Sequence, residues 1–495
     1  MRKVNSMARV PARPSEALPA AAVPPAGLNI LSNRLVRRLF LSRYLPLTLQ
    51  VITILLFIWV VYDGLFGIQA VGDNFATLGV WFLFFWPVVL LSTILLGKAW
   101  CGVCPVGVFT GLANRFTLGR SFPKALRNGV LSFLFFVVVV WMMRPVLGIS
   151  ESPSATAWFF VAWTVVAVVL GYVYSSRSFC QYVCPLVGPL SILARIAPLE
   201  LRAKTSGGVN PACLKCRGKE CMNGNEKVGA CPVDEYPAMM EGNQRCIFCL
   251  KCLKSCPTKT VLQIRLRWPF RELFRAWRPS GVEAWSVVAM VSVFLWHMAL
   301  GHGDRVPPVF QNWAHSIGSL GSESSDHSGL QYVLILSIGL LVISGALAVA
   351  AYASAKIAQL SFRRSFVNFS FAYVALVAFR AVGYMVGDIL TKSGDLSNYA
   401  TAVIGMYVYQ PSAVVDGMFK PFLQGTGYHP YGALLTVPLL AALPLTWFIA
   451  YKTARHMTSG PAKALAAATP HFLLSAGIVV LYEWAYLVGY RVIGQ

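Results

Sequence analysis

The chain has 495 residues, 56% of them hydrophobic and only 12% charged, with a mean hydropathy of +0.61. That balance excludes an ordinary soluble globular protein and defines a membrane class. The net charge of +23 sits on loop ends beside apolar runs, so it reads as membrane topology and not as a nucleic-acid surface.

Residues 1–44 form a basic, Ala/Pro-rich stretch expected to be a disordered cytoplasmic tail. Arg37-Arg38 faintly resembles a twin-arginine export signal, but the apolar segment behind it is long enough to span and has no small-residue cleavage site, so an uncleaved anchor is expected. Apolar runs of about 20 residues mark nine spans, near 45–66, 78–97, 129–148, 156–174, 281–300, 329–351, 366–390, 431–452 and 470–490. The expected class is therefore a mostly α, polytopic membrane helical protein. With the N-terminus in the cytoplasm, 36 of the 42 Lys and Arg fall on the cytoplasmic side and five on the other. The positive-inside rule then predicts a multi-pass protein of the bacterial inner (plasma) membrane with its C-terminus in the periplasm.

Residues 45–204 read as a duplicated hairpin domain. Each two-span hairpin ends in a cysteine pair closed by proline: Cys101-Gly-Val-Cys104-Pro105, and Cys180-Gln-Tyr-Val-Cys184-Pro185. Residues 205–262 carry the other eight of the twelve cysteines. Cys246, Cys249, Cys252 and Cys256-Pro257 follow a C-x2-C-x2-C-x3-C-P pattern, and Cys213, Cys216, Cys221 and Cys231-Pro232 repeat it with longer spacers. Topology puts all twelve thiols in a reducing compartment, where metal or redox roles outweigh disulfides. Zinc is the structural alternative, but the doubled run closed by C-P favours two [4Fe–4S] clusters in a ferredoxin-like insert. In two-cluster ferredoxins the fourth cysteine of each run crosses to the other cluster. One ligand set would be Cys213, Cys216, Cys221 and Cys256, and the other Cys246, Cys249, Cys252 and Cys231. Cys101, Cys104, Cys180 and Cys184 leave four readings open: a third cluster, a copper(I) site, a redox dithiol, or buried thiols without a ligand.

Two hairpins with cysteine-proline motifs followed by a two-cluster segment resemble the polyferredoxin membrane family of the NapH and NosR type, over residues ~45–262. The resemblance implies a membrane electron-transfer protein that is linked to quinol or serves as an accessory in maturing a respiratory enzyme, copper reduction included. The first pair departs from the family pattern, with two intervening residues where three are usual. The five-span half, 281–495, lies outside the resemblance.

Residues 263–280 are expected to form an interfacial amphipathic helix, with Phe270, Leu273, Phe274 and Trp277 on one side and Arg271, Arg275 and Arg278 on the other. Ionisable residues inside membrane spans are few and mark function. His297, Arg380 and Glu483 lie at similar expected depth, so an Arg380–Glu483 pair near His297 is a candidate quinone or proton site, weighed equally against a packing ion pair. No haem is expected, since no second mid-membrane histidine faces His297. The histidines of the external loop 301–328 read as a solvated linker, and 391–430 as a docking segment.

Three functions remain: electron transfer between a cytoplasmic donor or the quinone pool and a partner redox enzyme; metal (copper) reduction or delivery; and a transporter or sensor regulated by its clusters. As an enzyme the chain would be a quinol-dehydrogenase-type oxidoreductase subunit, but no substrate-converting site is legible. The absence of a glycine-rich nucleotide loop means that its electrons come from a partner.

Overall fold

The computed structural model describes residues 27–42, 44–69, 74–83, 85–139, 148–150, 152–203, 210–240, 242–258, 261–274, 279–293, 329–387, 389 and 430–493. Among these, seven helices are long and apolar enough to cross a membrane. They comprise Tyr44–Phe66, Phe75–Leu96, Pro153–Val173, Ser337–Ala358, Phe362–Gly387, Thr436–Met457 and Pro461–Glu483. The expected spans at 129–148 and 281–300 appear as shorter apolar helices, Val130–Val137 and Gly281–Val291, and residues 140–147 and 294–300 lie outside the described residues.

In chain order the helices are α1 (Arg34–Leu41), α2 (Tyr44–Phe66), α3 (Phe75–Leu96), α4 (Ala99–Val103), α5 (Pro105–Ala113), α6 (Val130–Val137), α7 (Pro153–Val173) and α8 (Val187–Leu193). Then come α9 (Gly281–Val291), α10 (Gly329–Ala358), α11 (Phe362–Gly387), α12 (Pro430–Met457) and α13 (Pro461–Ile493). The hairpins α2–α3 and α6–α7 pack through small residues, as membrane helices do when no water drives them together. A Cβ on Gly171 of α7 would stand 2.8 Å from the Thr110 carbonyl oxygen of α5, and one on Gly64 of α2 would stand 2.8 Å from Ala157 Cβ of α7.

The C-terminal half is joined to this unit by α9. Ser280 and Glu283 form a capping box at its N-terminus. Glu283 also accepts from Arg195 Nη2 at 2.9 Å, tying the helix to the end of the second hairpin domain. One continuous core runs from Val89, Leu90 and Trp100, through Leu190 and Leu193, into Val287–Val291, Phe371–Val377 and Ala450.

The cysteine-rich insert is bracketed by strands. With β1 (Leu28–Asn29), β2 (Leu199–Ala203) and β3 (Leu262–Leu266), the sheet order is β1-β3-β2, antiparallel, with Leu201 opposite Ile264 and Leu28 opposite Leu266. Leu201, Leu262 and Ile264 are buried under this sheet with Phe248 and Leu253. Two expectations change here. Residues 28–41 of the expected disordered tail fold, because β1 completes the sheet edge and Asn33 caps α1 with its side chain. Residues 263–266, expected to open an interfacial helix, belong instead to the strand Leu262–Leu266, since Leu-Gln-Ile-Arg-Leu alternates with period two and pairs with β2. Arg271–Phe274 is a single 3-10 turn with Leu273 buried, and 275–278 lie outside the described residues. Glu272 of this turn accepts from Arg202 at 3.0 Å and Arg267 at 2.5 Å, locking β2, β3 and the turn through a buried charge network.

Candidate functional site

The two Cys-Pro corners are built alike despite their unequal spacing. Cys104 (φ −54°, ψ 127°) and Cys184 (φ −52°, ψ 124°) share one backbone conformation, and each precedes a proline that starts a new turn. The Cys104 amide bonds to the Trp100 carbonyl four residues back, and that of Cys184 to Phe179, five back. The extra residue of the second pair is thus absorbed as a π-turn over Phe179–Val183. A difference legible in the sequence as a change of helical offset leaves the corner itself intact. Behind each corner the first amides of the next turn face the sulfur: Gly107 and Val106 at Cys104, Leu186 at Cys184.

The structure gathers the twelve cysteines into three neighbouring groups. Cys221 lies in the electrostatic reach of Cys256, Cys213 and Cys216, and the Tyr236 hydroxyl beside them donates to the Cys213 carbonyl at 3.2 Å. Cys252 lies in that of Cys246, Cys249 and Cys231. Cys184 lies in that of Cys180, Cys101 and Cys104. The second group sits directly on the third. A Cβ on Gly102, between Cys101 and Cys104, would stand 2.6 Å from the Ile247 carbonyl oxygen and 3.6 Å from the Cys249 nitrogen. On the other hairpin, the Arg177 amide donates to the Pro232 carbonyl at 3.0 Å, next to Cys231, and the Ser176 hydroxyl bonds Asp234. Phe248 and Leu250 adopt positive φ (48° and 62°) in this loop, a conformation side chains rarely hold unless the surroundings impose it.

Two basic residues that the sequence reading passed over flank the third group. Lys98 is 4% exposed, and its Nζ donates to Ser191 Oγ at 3.1 Å and the Gln244 carbonyl at 3.2 Å. Arg177 is 7% exposed, and its Nη1 donates to the Cys101 carbonyl at 3.2 Å. Each stands three residues before the first cysteine of its pair, a signal the repeat carries one turn upstream of the motif. Burial pushes the thiols up, Cys104 to about 12 and Cys180 to about 11, with Cys101 and Cys184 also raised. It lowers Lys98, against the opposing pull of Cys101, Cys184 and Cys180.

Above the four thiols opens a cavity of about 230 Å³, walled by Phe57, Trp81, Phe85, Trp86 and Trp100 and touched by all four cysteines. The Trp86 indole nitrogen is buried there without a hydrogen-bond partner among the described residues. Buried N–H groups are seldom left unpaired, so a carbonyl-bearing apolar guest fits this wall.

Among the described residues no three His, Cys, Asp or Glu side chains stand as ligands of a single ion. A tetrahedral ion with ~2.3 Å bonds to sulfur draws its thiolates to within about 4 Å of one another. Four-iron clusters hold theirs at the corners of a cube, further apart. Four thiols in one electrostatic neighbourhood are the right number for a four-iron cluster.

The C-terminal candidates separate. His297 lies outside the described residues. Arg380, 1% exposed, lies over the rings of Tyr482 (4.9 Å) and Tyr384 (5.6 Å). The expected Arg380–Glu483 contact is not made: Glu483 Oε2 accepts from Thr436 at 2.7 Å, while its Oε1 and the Arg380 Nε and Nη1 find no partner among the described residues. Among the described residues a buried histidine that the sequence did not single out lies within a span. His471, 1% exposed and ten residues into α13, accepts from or donates to the Tyr373 hydroxyl at 3.1 Å and stacks on Phe369. Placing the ninth span at 470–490 put this residue at a helix end and hid it.

Fold and site together define a polytopic membrane iron–sulfur protein. Residues 78–124 and 156–197 match the 4Fe-4S binding domain family, and these segments contain the two Cys-Pro corners. Relatives include NirI of Paracoccus denitrificans, 28% identical over 48% of this chain and 38% of its own length. Others are the putative electron transport protein YccM of Escherichia coli (22%; 36% and 54%) and the regulatory protein NosR of Stutzerimonas stutzeri (26%; 34% and 24%). The chain thus spans about a quarter to a half of the length of these three. Over the matched region it is similar to polyferredoxin-type, NosR-like membrane iron–sulfur proteins. No solved structure matches it.

Proposed function

We propose that the chain carries electrons between a cytoplasmic donor and the membrane phase, with three iron–sulfur sites in series. Cys213, Cys216, Cys221 and Cys256 would hold the outer one, and Cys231, Cys246, Cys249 and Cys252 the middle one. Cys101, Cys104, Cys180 and Cys184 would hold the innermost, facing the aromatic cavity. Bound there, iron–sulfur clusters supply one-electron couples. The protein's own part is to bury the inner thiols, exclude water and press the middle group onto the inner one. That seating, the Ile247–Cys249 loop against Gly102, is the observation that carries the reading. A quinone in the cavity, its carbonyl accepting from Trp86, would complete the path. This moves the quinone site away from Arg380 and Glu483.

In reconstituted membranes, reduced methyl viologen should drive reduction of a short-chain quinone faster than the uncatalysed rate. Cys104→Ser should abolish that excess while the outer eight cysteines keep their iron. Transfer undiminished in the variant contradicts the reading. Copper bound to the four inner thiols, and lost with them, would favour the metal-delivery alternative.

A further inference from the structure

We propose that Lys98 and Arg177 are positioning charges that make the Cys101/Cys104/Cys180/Cys184 site the electron sink of the chain. The proposal rests on the reading that all three thiol groups hold iron–sulfur centres, and it assigns the direction in which electrons settle.

The two cations are built into the site. A Cβ on Gly107 would stand 3.1 Å from Arg177 Nη1 and 3.6 Å from Cys180 Sγ, and one on Gly111 would stand 3.2 Å from Arg177 Nη2. These glycines, one turn apart on α5, form a notch that takes the guanidinium. Lys98 is held by Ser191 of α8 and by the Gln244 carbonyl of the cysteine-rich insert. Among the described residues neither cation has a carboxylate within ion-pair reach, although Arg195, Arg202, Arg245 and Arg267 all do. Arg177 Nε has no hydrogen-bond partner among the described residues.

A buried charge without a counter-charge is strongly unfavourable, so an anion belongs between these two groups. Four thiolates on an oxidised four-iron cube carry roughly two net negative charges, which matches two cations. Copper(I) between two thiolates carries about one. One-electron reduction adds a further negative charge, and fixed cations in a medium of low dielectric favour that reduced form. No bond is made or broken and no proton moves; one electron from the reductant is gained by the centre.

Among the described residues the other two groups lack a pair of cations buried this deeply and left unneutralised. Beside Cys256 the charged neighbour is Glu220. Arg202, near Cys246, is already neutralised by Glu272 at 3.0 Å and Glu200 at 3.6 Å. Lys251 and Lys254, both in reach of Cys249, are only partly buried, so water screens their charge. Positive charge therefore rises from the outer group to the inner one, and added electrons should collect at the inner one.

The test is an anaerobic dithionite titration of the purified full chain followed by EPR, with iron analysis alongside. In the wild type the inner-site signal should appear first. Arg177→Met and Lys98→Met should shift it to lower potential, enough to invert the order of reduction, with iron content unchanged. Arg177→Lys should restore the wild-type order. If Arg177→Met loses iron, Lys98→Gln carries the same test, because the amide can still donate to Ser191 and Gln244 while the charge is gone. An unchanged order in iron-replete variants overturns the proposal. About eight irons in the wild type, instead of about twelve, would remove the third centre, and the proposal with it.

Discussion

At position 102 a single methyl group would stand 2.6 Å from the Ile247 carbonyl oxygen, inside any allowed contact. The loop cannot yield freely, because Phe248 is buried beneath the sheet, and a Cβ on Gly97 (φ 73°) would stand 3.3 Å from its ring. Gly102→Val should therefore cost about 1–3 kcal/mol, as overpacking does, and lift the insert off the hairpins. Hydrogen exchange across 243–256 should quicken while iron stays bound. Burial also makes a pH prediction. A thiol binds metal only when deprotonated, and Cys104 and Cys180 hold their protons to about 12 and about 11. Protons therefore compete with metal throughout the neutral range and more strongly as pH falls. Chelator should strip the inner site faster at pH 6 than at pH 9. The cysteines were legible because spacing alone marks them. Lys98, Arg177 and His471 were not, because a lone basic residue is informative only once its burial is known.

At the scale of elements, the π-turn at Phe179–Val183 is the slack in the repeat. Deleting Gln181 should convert the second corner to the α-type turn of the first, with Cys184 still preceding Pro185 in the same conformation. Iron at the inner site should survive this deletion; its loss would show that the π-turn geometry itself is needed. Residues 262–274 show where sequence reasoning reaches its limit. Phe270, Leu273 and Phe274 have helical spacing, while Leu262, Ile264 and Leu266 alternate, and only the distant strand 199–203 decides between them. Pairing is non-local, so a local pattern could not supply it. The same reason hid β1 inside a stretch whose composition reads as a tail.

For the whole molecule, hydropathy gave the membrane class and the approximate spans because bilayer thickness fixes helix length. It gave no hint that α9 would fuse the halves into one core, or that the hairpins would enclose an aromatic cavity over four thiols. Those depend on which faces meet. The arrangement that results has a solvent-facing thiol group, a middle group seated on Gly102, and an inner group between two buried cations. Its central claim, three iron–sulfur sites in one chain, is tested most directly by iron and sulfide analysis with EPR, comparing wild type with Cys101→Ser/Cys184→Ser. The account predicts about twelve irons per chain falling to about eight, with one EPR signal lost and two retained. About eight in both proteins would contradict it.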